Sequence, residues 1–330
     1  MTYRSIAAPP RRHRFGALAT SLAVSLMLTA SLAAQAEEAE TPSLTGRLAA
    51  AAAAGDLDSL ASLLSTLPES PDPDPRGPAL RAAAEAGKRE AVQQLLAAGA
   101  PVDYVRDDGE TALIAAAAGG HTPVVELLIV SGADVDVRRA DGATALSLAV
   151  EREDIETVWV LLGEGPEVDL VYRGGKTALM KAAELGNPRI VELLLNAGAK
   201  TRAQDEAGVT ALMLASASGD AAAVRSILAR GGDPRAVDAT GRTALHYAAE
   251  RGADGPSRLL LSRGAAVDAT DREGRTPLML AAAGGHGKAV DMLLTAKADR
   301  TLRDTAGRSA AEYAGAAGHA AIAKKLAPAS

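Results

Sequence analysis

The sequence predicts an all-α repeat solenoid, a stack of about nine helix–turn–helix units, and three observations predict it. A Thr-Ala-Leu or Thr-Pro-Leu core starts at Thr111, Thr144, Thr177, Thr210, Thr243 and Thr276, each 33 residues after the last. A glycine stands two residues ahead of every core: Gly109, Gly142, Gly175, Gly208, Gly241, Gly274 and, before the worn copy Ser309-Ala310-Ala311, Gly307. A second glycine closes the Ala-rich run that follows, at Gly120, Gly186, Gly219, Gly252, Gly285 and Gly318. Self-similarity at this period means an array in which each unit packs only on its neighbours. Upstream, Pro78-Ala79-Leu80 keeps the interval, and a degraded copy around Gly46-Arg47-Leu48 falls one residue short.

Each element of the unit has a local cause. The first glycine suits a tight turn at positive φ. The Thr hydroxyl after it can cap the first helix, and Pro277 occupies a first-turn position where a missing N–H costs little. Runs such as Leu113 to Ala118 make a thin helix that lets layers approach closely, and the second glycine stops it. The second helix carries an apolar stripe at helical spacing: Val125-Leu128-Ile129, Val191-Leu194-Leu195 or Val290-Leu293-Leu294.

Gly241-Arg242-Thr243-Ala244-Leu245-His246-Tyr247-Ala248-Ala249 resembles the Gly-x-Thr-Pro-Leu-His-x-Ala-Ala signature of the ankyrin repeat family, whose units run to 33 residues. The resemblance covers about residues 46–326. Only the copy at Thr243 has the histidine, and most copies put Ala where Pro is usual. The resemblance implies two helices and a projecting hairpin or loop per unit, stacked into a curved solenoid. It also implies binding, usually of protein, on a concave side built from hairpin tips and first helices.

Residues 1–36 are a different material. Arg4, Arg11, Arg12 and Arg14 precede the uncharged stretch Ala17–Ala34, and Ala34-Gln35-Ala36 offers a small-x-small cleavage site before Glu37-Glu38. That is the layout of a bacterial secretory signal peptide, cleaved after Ala36, which places the mature chain in the periplasm. Arg14 stands where twin-arginine export would want Phe, so the general route is expected. The alternative is an uncleaved anchor, since Phe15 to Ala36 is uncharged and long enough to span. Residues 37–77 then read as an N-terminal capping repeat with a Pro/Asp-rich loop (Pro68 to Pro75), 78–308 as regular repeats and 309–330 as a C-terminal cap with Lys324-Lys325.

Composition narrows the function. The chain has no cysteine, which removes disulfides, thiol catalysis and Cys-ligated zinc. Beyond residue 36 there are 31 basic and 41 acidic side chains, near −10, the wrong balance for neutralising phosphates, so no nucleic-acid partner is expected. Charge is also uneven: residues 37–176 carry 25 acids and 11 bases, net −14, and residues 177–330 carry 16 and 20, net +4. A gradient of that kind orients an approaching partner.

No catalytic or metal motif is present. His121, His286 and His319 share one column, but layers roughly 8–10 Å apart cannot bring their nitrogens within about 2 Å of one zinc. His246 is expected to bond between units. Gly174-Gly175-Lys176-Thr177 imitates the end of a phosphate-binding loop, yet Leu170 stands where its first glycine belongs. Neither an enzyme nor a cofactor is expected.

What remains is surface. The column Ala115, Leu148, Lys181, Leu214, Tyr247, Leu280, Tyr313 would, by the resemblance, line the concave face. Tyr247, Leu280 and Tyr313 would form a mixed aromatic and aliphatic strip suited to a binding core. Arg251 would lie beside it, with Arg242, Arg272, Arg275 and Arg308 along the rim. The unit from Thr144 is the least regular: Glu153 replaces its mid-unit glycine, and it holds Trp159, the only tryptophan. That column elsewhere reads Gln93, Glu126, Glu192, Arg225, Arg258, Asp291 and Lys324, a solvated helix face. Trp159 is then either a ring laid flat across an adjacent unit or an anchor for a partner on the convex side. Lys297 replaces the glycine that ends a second helix, at a cost of about 1 kcal/mol if left-handed. The function expected is a monomeric, non-enzymatic scaffold for a protein partner; the alternative is a periplasmic inhibitor or immunity protein that blocks one secreted enzyme.

Overall fold

In the computed structural model, which describes residues 43–69 and 71–327, the predicted Thr cores are helix N-caps. Thr111, Thr144, Thr177, Thr210, Thr276 and Ser309 each accept a hydrogen bond from the N–H three residues on, satisfying one donor that a helix start leaves orphaned. The predicted leader and its cleavage site lie outside the described residues.

Eighteen helices among the described residues pair into nine units. The pairs are α1 (Leu44–Ala54) with α2 (Leu57–Ser65), α3 (Arg76–Glu85) with α4 (Arg89–Ala97), α5 (Ala112–Gly119) with α6 (Thr122–Val130), and α7 (Ala145–Glu151) with α8 (Ile155–Gly163). Next come α9 (Ala178–Leu185) with α10 (Pro188–Asn196), α11 (Ala211–Ser218) with α12 (Ala221–Ala229), and α13 (Ala244–Glu250) with α14 (Asp254–Ser262). The last are α15 (Pro277–Ala283) with α16 (Gly287–Thr295) and α17 (Ala310–Ala316) with α18 (Ala320–Leu326). The array described below belongs to the compact unit Leu48–Ser330.

Packing follows the columns. Val92, Val125, Val158, Val191, Val224 and Val290 are fully buried on successive second helices, as are Leu95, Leu128, Leu161, Leu194, Ile227, Leu260 and Leu293 one turn later. Ser257 breaks the valine column. The Ala-rich first helices lie closer to one another than the second helices do, so first helices form the tighter, inner layer and second helices the outer one.

Tips of successive units are bonded directly: Ala239 N–H donates to Ala207 carbonyl at 2.8 Å, Arg272 to Thr240 at 2.9 Å and Thr305 to Glu273 at 2.9 Å. This explains Gly241 twice over. Its φ is +82°, and a Cβ there would stand 3.1 Å from the Arg272 nitrogen of the next tip. No strand is assigned among the described residues; the hairpins reduce to single bridges such as Gln204 with Thr210.

The mid-unit glycines make room for the histidine column. A Cβ on Gly252 would lie 2.6 Å from His286 Nδ1, and His286 Nε2 bonds the Glu250 carbonyl at 2.9 Å. His121 does the same to Glu85 at 3.0 Å. Where glycine is missing the backbone still goes left-handed: Glu153 has φ +58° and Lys297 φ +67°.

Candidate partner-binding surface

The inner column is less open than a continuous strip. Ala115, Leu148 and Leu280 are buried, Leu280 at 7% exposure, while Lys181, Leu214, Tyr247 and Tyr313 are half-buried. Leu280 therefore belongs to the core and not to a presented strip. Leu214 at the equivalent place stays half-buried, whereas a tyrosine there extends toward the hairpin tip.

Each tyrosine is locked by an aspartate and an arginine of its own tip. The Tyr247 hydroxyl donates to Asp238 Oδ2 at 2.7 Å, and the Arg242 guanidinium lies 4.5 Å from the ring centre. Two units on, Tyr313 donates to Asp304 Oδ2 at 2.6 Å under Arg308, also 4.5 Å from the ring centre. The other carboxylate oxygen holds the turn: Asp238 Oδ1 accepts from Thr240 N–H at 2.7 Å and Arg242 N–H at 3.0 Å. Asp304 Oδ1 accepts from Ala306 N–H at 3.0 Å and Arg308 N–H at 2.8 Å. In the unit between, Asp271 Oδ2 accepts from Arg275 Nε at 2.7 Å with no tyrosine above it.

The electrostatics follow from these bonds. The hydrogen bond from Tyr313 is the main reason that the Asp304 carboxyl sits at about 2, with the Arg308 contacts adding to it. Burial, then the bond to Asp304, pushes the Tyr313 phenol up to about 12. Burial raises Asp238, but donations from Tyr247 and Thr240 outweigh it and leave its pKa below the ordinary aspartate value. Both phenols stay neutral donors and both aspartates stay charged at neutral pH.

The arginines divide into pinned and presented. Arg242 is 16% exposed in its side chain and pairs with Glu250 at 2.6 Å. Arg275 bridges Asp271 at 2.7 Å and Glu273 at 3.1 Å. Arg308, 53% exposed, keeps its bridge to Asp304 at 2.9 Å. Arg251 and Arg272 are exposed. The aspartates went unnoticed in the sequence, although Asp205, Asp238, Asp271 and Asp304 each stand three residues before a turn glycine. That recurrence was the available signal.

A hollow of about 600 Å3 lies along the tips around Arg138, Tyr172 and Arg173. Its Arg173 is already paired, with Asp141 at 2.9 Å and Glu151 at 3.1 Å. Among the described residues no group of three His, Cys, Asp or Glu side chains is placed to hold a metal ion. No helix among them is long and apolar enough to cross a membrane.

Family models for ankyrin repeats in three copies match residues 48–139, 80–172, 118–205, 146–236, 179–271, 212–304 and 257–330. The chain belongs to the ankyrin repeat family. No curated protein matches it significantly. Ankyrin repeats suggest a protein-binding scaffold, and proteins built from them are generally non-enzymatic. In this ankyrin array Trp159 sits on the other layer, on α8, with 65% of its surface exposed. Open grooves border the ring, one with Ile155 and Leu193, the other with Val160, Leu162 and Ala197. The other members of its column, from Gln93 to Lys324, are exposed too.

Proposed function

We propose that this ankyrin array is an exported, non-enzymatic scaffold that grips a protein partner on its concave face, centred on Tyr247, Tyr313 and the arginines of their tips. The observation that carries the reading is the paired Asp–Tyr–Arg lock, which fixes two aromatic rings and two guanidinium groups before any partner arrives. Groups held in place beforehand lose little freedom on binding, so more of the contact energy appears as affinity. Tyrosine and arginine are also the residue types that dominate interface energetics. The basic start, apolar stretch and Ala34-Gln35-Ala36 site support export to the periplasm.

The acidic half supports a narrower version, an inhibitor or immunity protein that meets the basic rim of one secreted enzyme. Affinity capture from a periplasmic extract tests both. A diverse set of clients supports the scaffold, and a single enzyme released by salt supports the inhibitor. Recovery of the chain only from the cytoplasm, with its first 36 residues intact, overturns the exported reading.

A further inference from the structure

The outer face carries a feature that the concave site does not use. Trp159 is 65% exposed in a column that otherwise holds charged residues or Gln93, with Glu126 one unit before it and Glu192 one unit after. Leaving an indole in water forgoes the free energy of burying it, and an aliphatic or charged side chain would serve an α8 surface as well. Two grooves flank the ring. One, about 410 Å3, runs between Trp159, Ile155 and Leu193. The other, about 510 Å3, runs between Trp159, Val160, Leu162 and Ala197. Both are open along one side, which suits a chain lying across them better than a small molecule that must be enclosed.

Charge says what kind of chain. Glu126, Glu156 and Glu164 stand at the groove walls, with Arg189 as the single base, and exposed Glu192 extends the acidic ring. An acidic segment would be repelled from this surface and a basic one drawn to it. Spacing says more. Adjacent layers are roughly 10 Å apart, and an extended chain advances about 3.3 Å per residue. A segment crossing α6, α8 and α10 with one side chain on Trp159 thus meets Glu126 and Glu192 about three residues to either side.

We propose that the convex face around Trp159 is a second binding site, for an extended basic segment of a protein, patterned basic-x-x-apolar-x-x-basic. It stands on the opposite layer from Tyr247 and Tyr313 and does not depend on the concave reading.

Three synthetic peptides test it on the full chain: a lysine–leucine–lysine peptide with that spacing, the same peptide with glutamates for lysines, and the same with serine for leucine. Trp159 is the only tryptophan, so its emission reports contact directly. The lysine–leucine peptide should bind and move the emission to shorter wavelength, and each control peptide should bind about tenfold more weakly or worse. Reversing the flanking charges, Glu126→Lys with Glu192→Lys, should exchange the preference between lysine and glutamate peptides. Trp159→Ala, followed by calorimetry, should weaken the lysine peptide about tenfold with helix content unchanged. Tyr247→Ala with Tyr313→Ala should leave its affinity as it is. No emission change up to about 1 mM peptide, equal binding of the lysine and glutamate peptides, or full binding by Trp159→Ala would overturn the site.

Discussion

The Tyr247 hydroxyl donates a 2.7 Å hydrogen bond to Asp238, nine residues earlier in the chain, and so ties an inner helix to its own hairpin tip. The same carboxylate caps the turn through Thr240 and Arg242. Tip and helix are one rigid body in that unit, and again at Tyr313 and Asp304. In the unit between, Leu280 supplies no such tie.

Tyr247→Phe should therefore loosen a tip without emptying the layer. The ring stays, Asp238 loses one donor, and the loss of a hydrogen bond to a charged group costs about 1.5–3 kcal/mol. Amide exchange at Thr240 and Arg242 should speed up while the helical amides of α13 keep their protection.

Acid should open the last tip. Asp304 is held at about 2 by Tyr313, then by its backbone and Arg308 bonds, against about 3.9 in an unfolded chain. A depressed carboxyl contributes stability that is whole above the unfolded value and is lost as pH falls from about 4 toward 2. Tyr313→Phe should lessen that loss, measured as the protection of the Ala306 and Arg308 amides against pH.

His246 should give a second, separate pH dependence. Burial lowers its pKa, only partly opposed by the bond its Nε2 makes to the Arg275 carbonyl at 3.0 Å. The unfolded chain then takes up a proton that the folded chain refuses, so stability falls as pH drops below about 6.5 toward the folded value. Met180, Met213 and Met279 occupy this place elsewhere and accept the Thr N–H through sulfur at 3.4–3.5 Å. His246→Met should fold, and thermal melts from pH 7 to pH 5 should show a shallower decline.

Two substitutions should stabilise. Ser257 is 1% exposed in the valine column, and its hydroxyl has no partner. Ser257→Val removes an unpaired polar group and fills the layer, for a gain of about 1–2 kcal/mol in urea unfolding. Lys297→Gly relieves a non-glycine φ of +67°, and a gain of about 1 kcal/mol is expected at most.

How legible this was depended on the link. Period, caps and turn glycines could be read directly because each is a local constraint repeated at 33 residues: the Lys297 backbone and the solvated column through Trp159 followed from register alone. The binding surface was only half legible. Register placed Leu280 and the two tyrosines in one column, but register does not say how much of each stays open, and Leu280 is buried where Leu214 is half-buried. The aspartates beneath the tyrosines escaped notice because a residue nine positions back becomes a partner only once the hairpin folds over the helix. Trp159 was left between two arrangements because register gives direction and says nothing about how neighbouring side chains fill the space beside a ring.

The central claim is that a partner is gripped by rings and guanidinium groups locked on the inner layer. Its most direct test is the affinity of the captured partner for the wild-type chain and for Tyr247→Ala with Tyr313→Ala, each shown to be folded by circular dichroism. Loss of at least about tenfold in the double variant, with Trp159→Ala close to wild type, is the predicted result. Undiminished affinity in a folded double variant would contradict it.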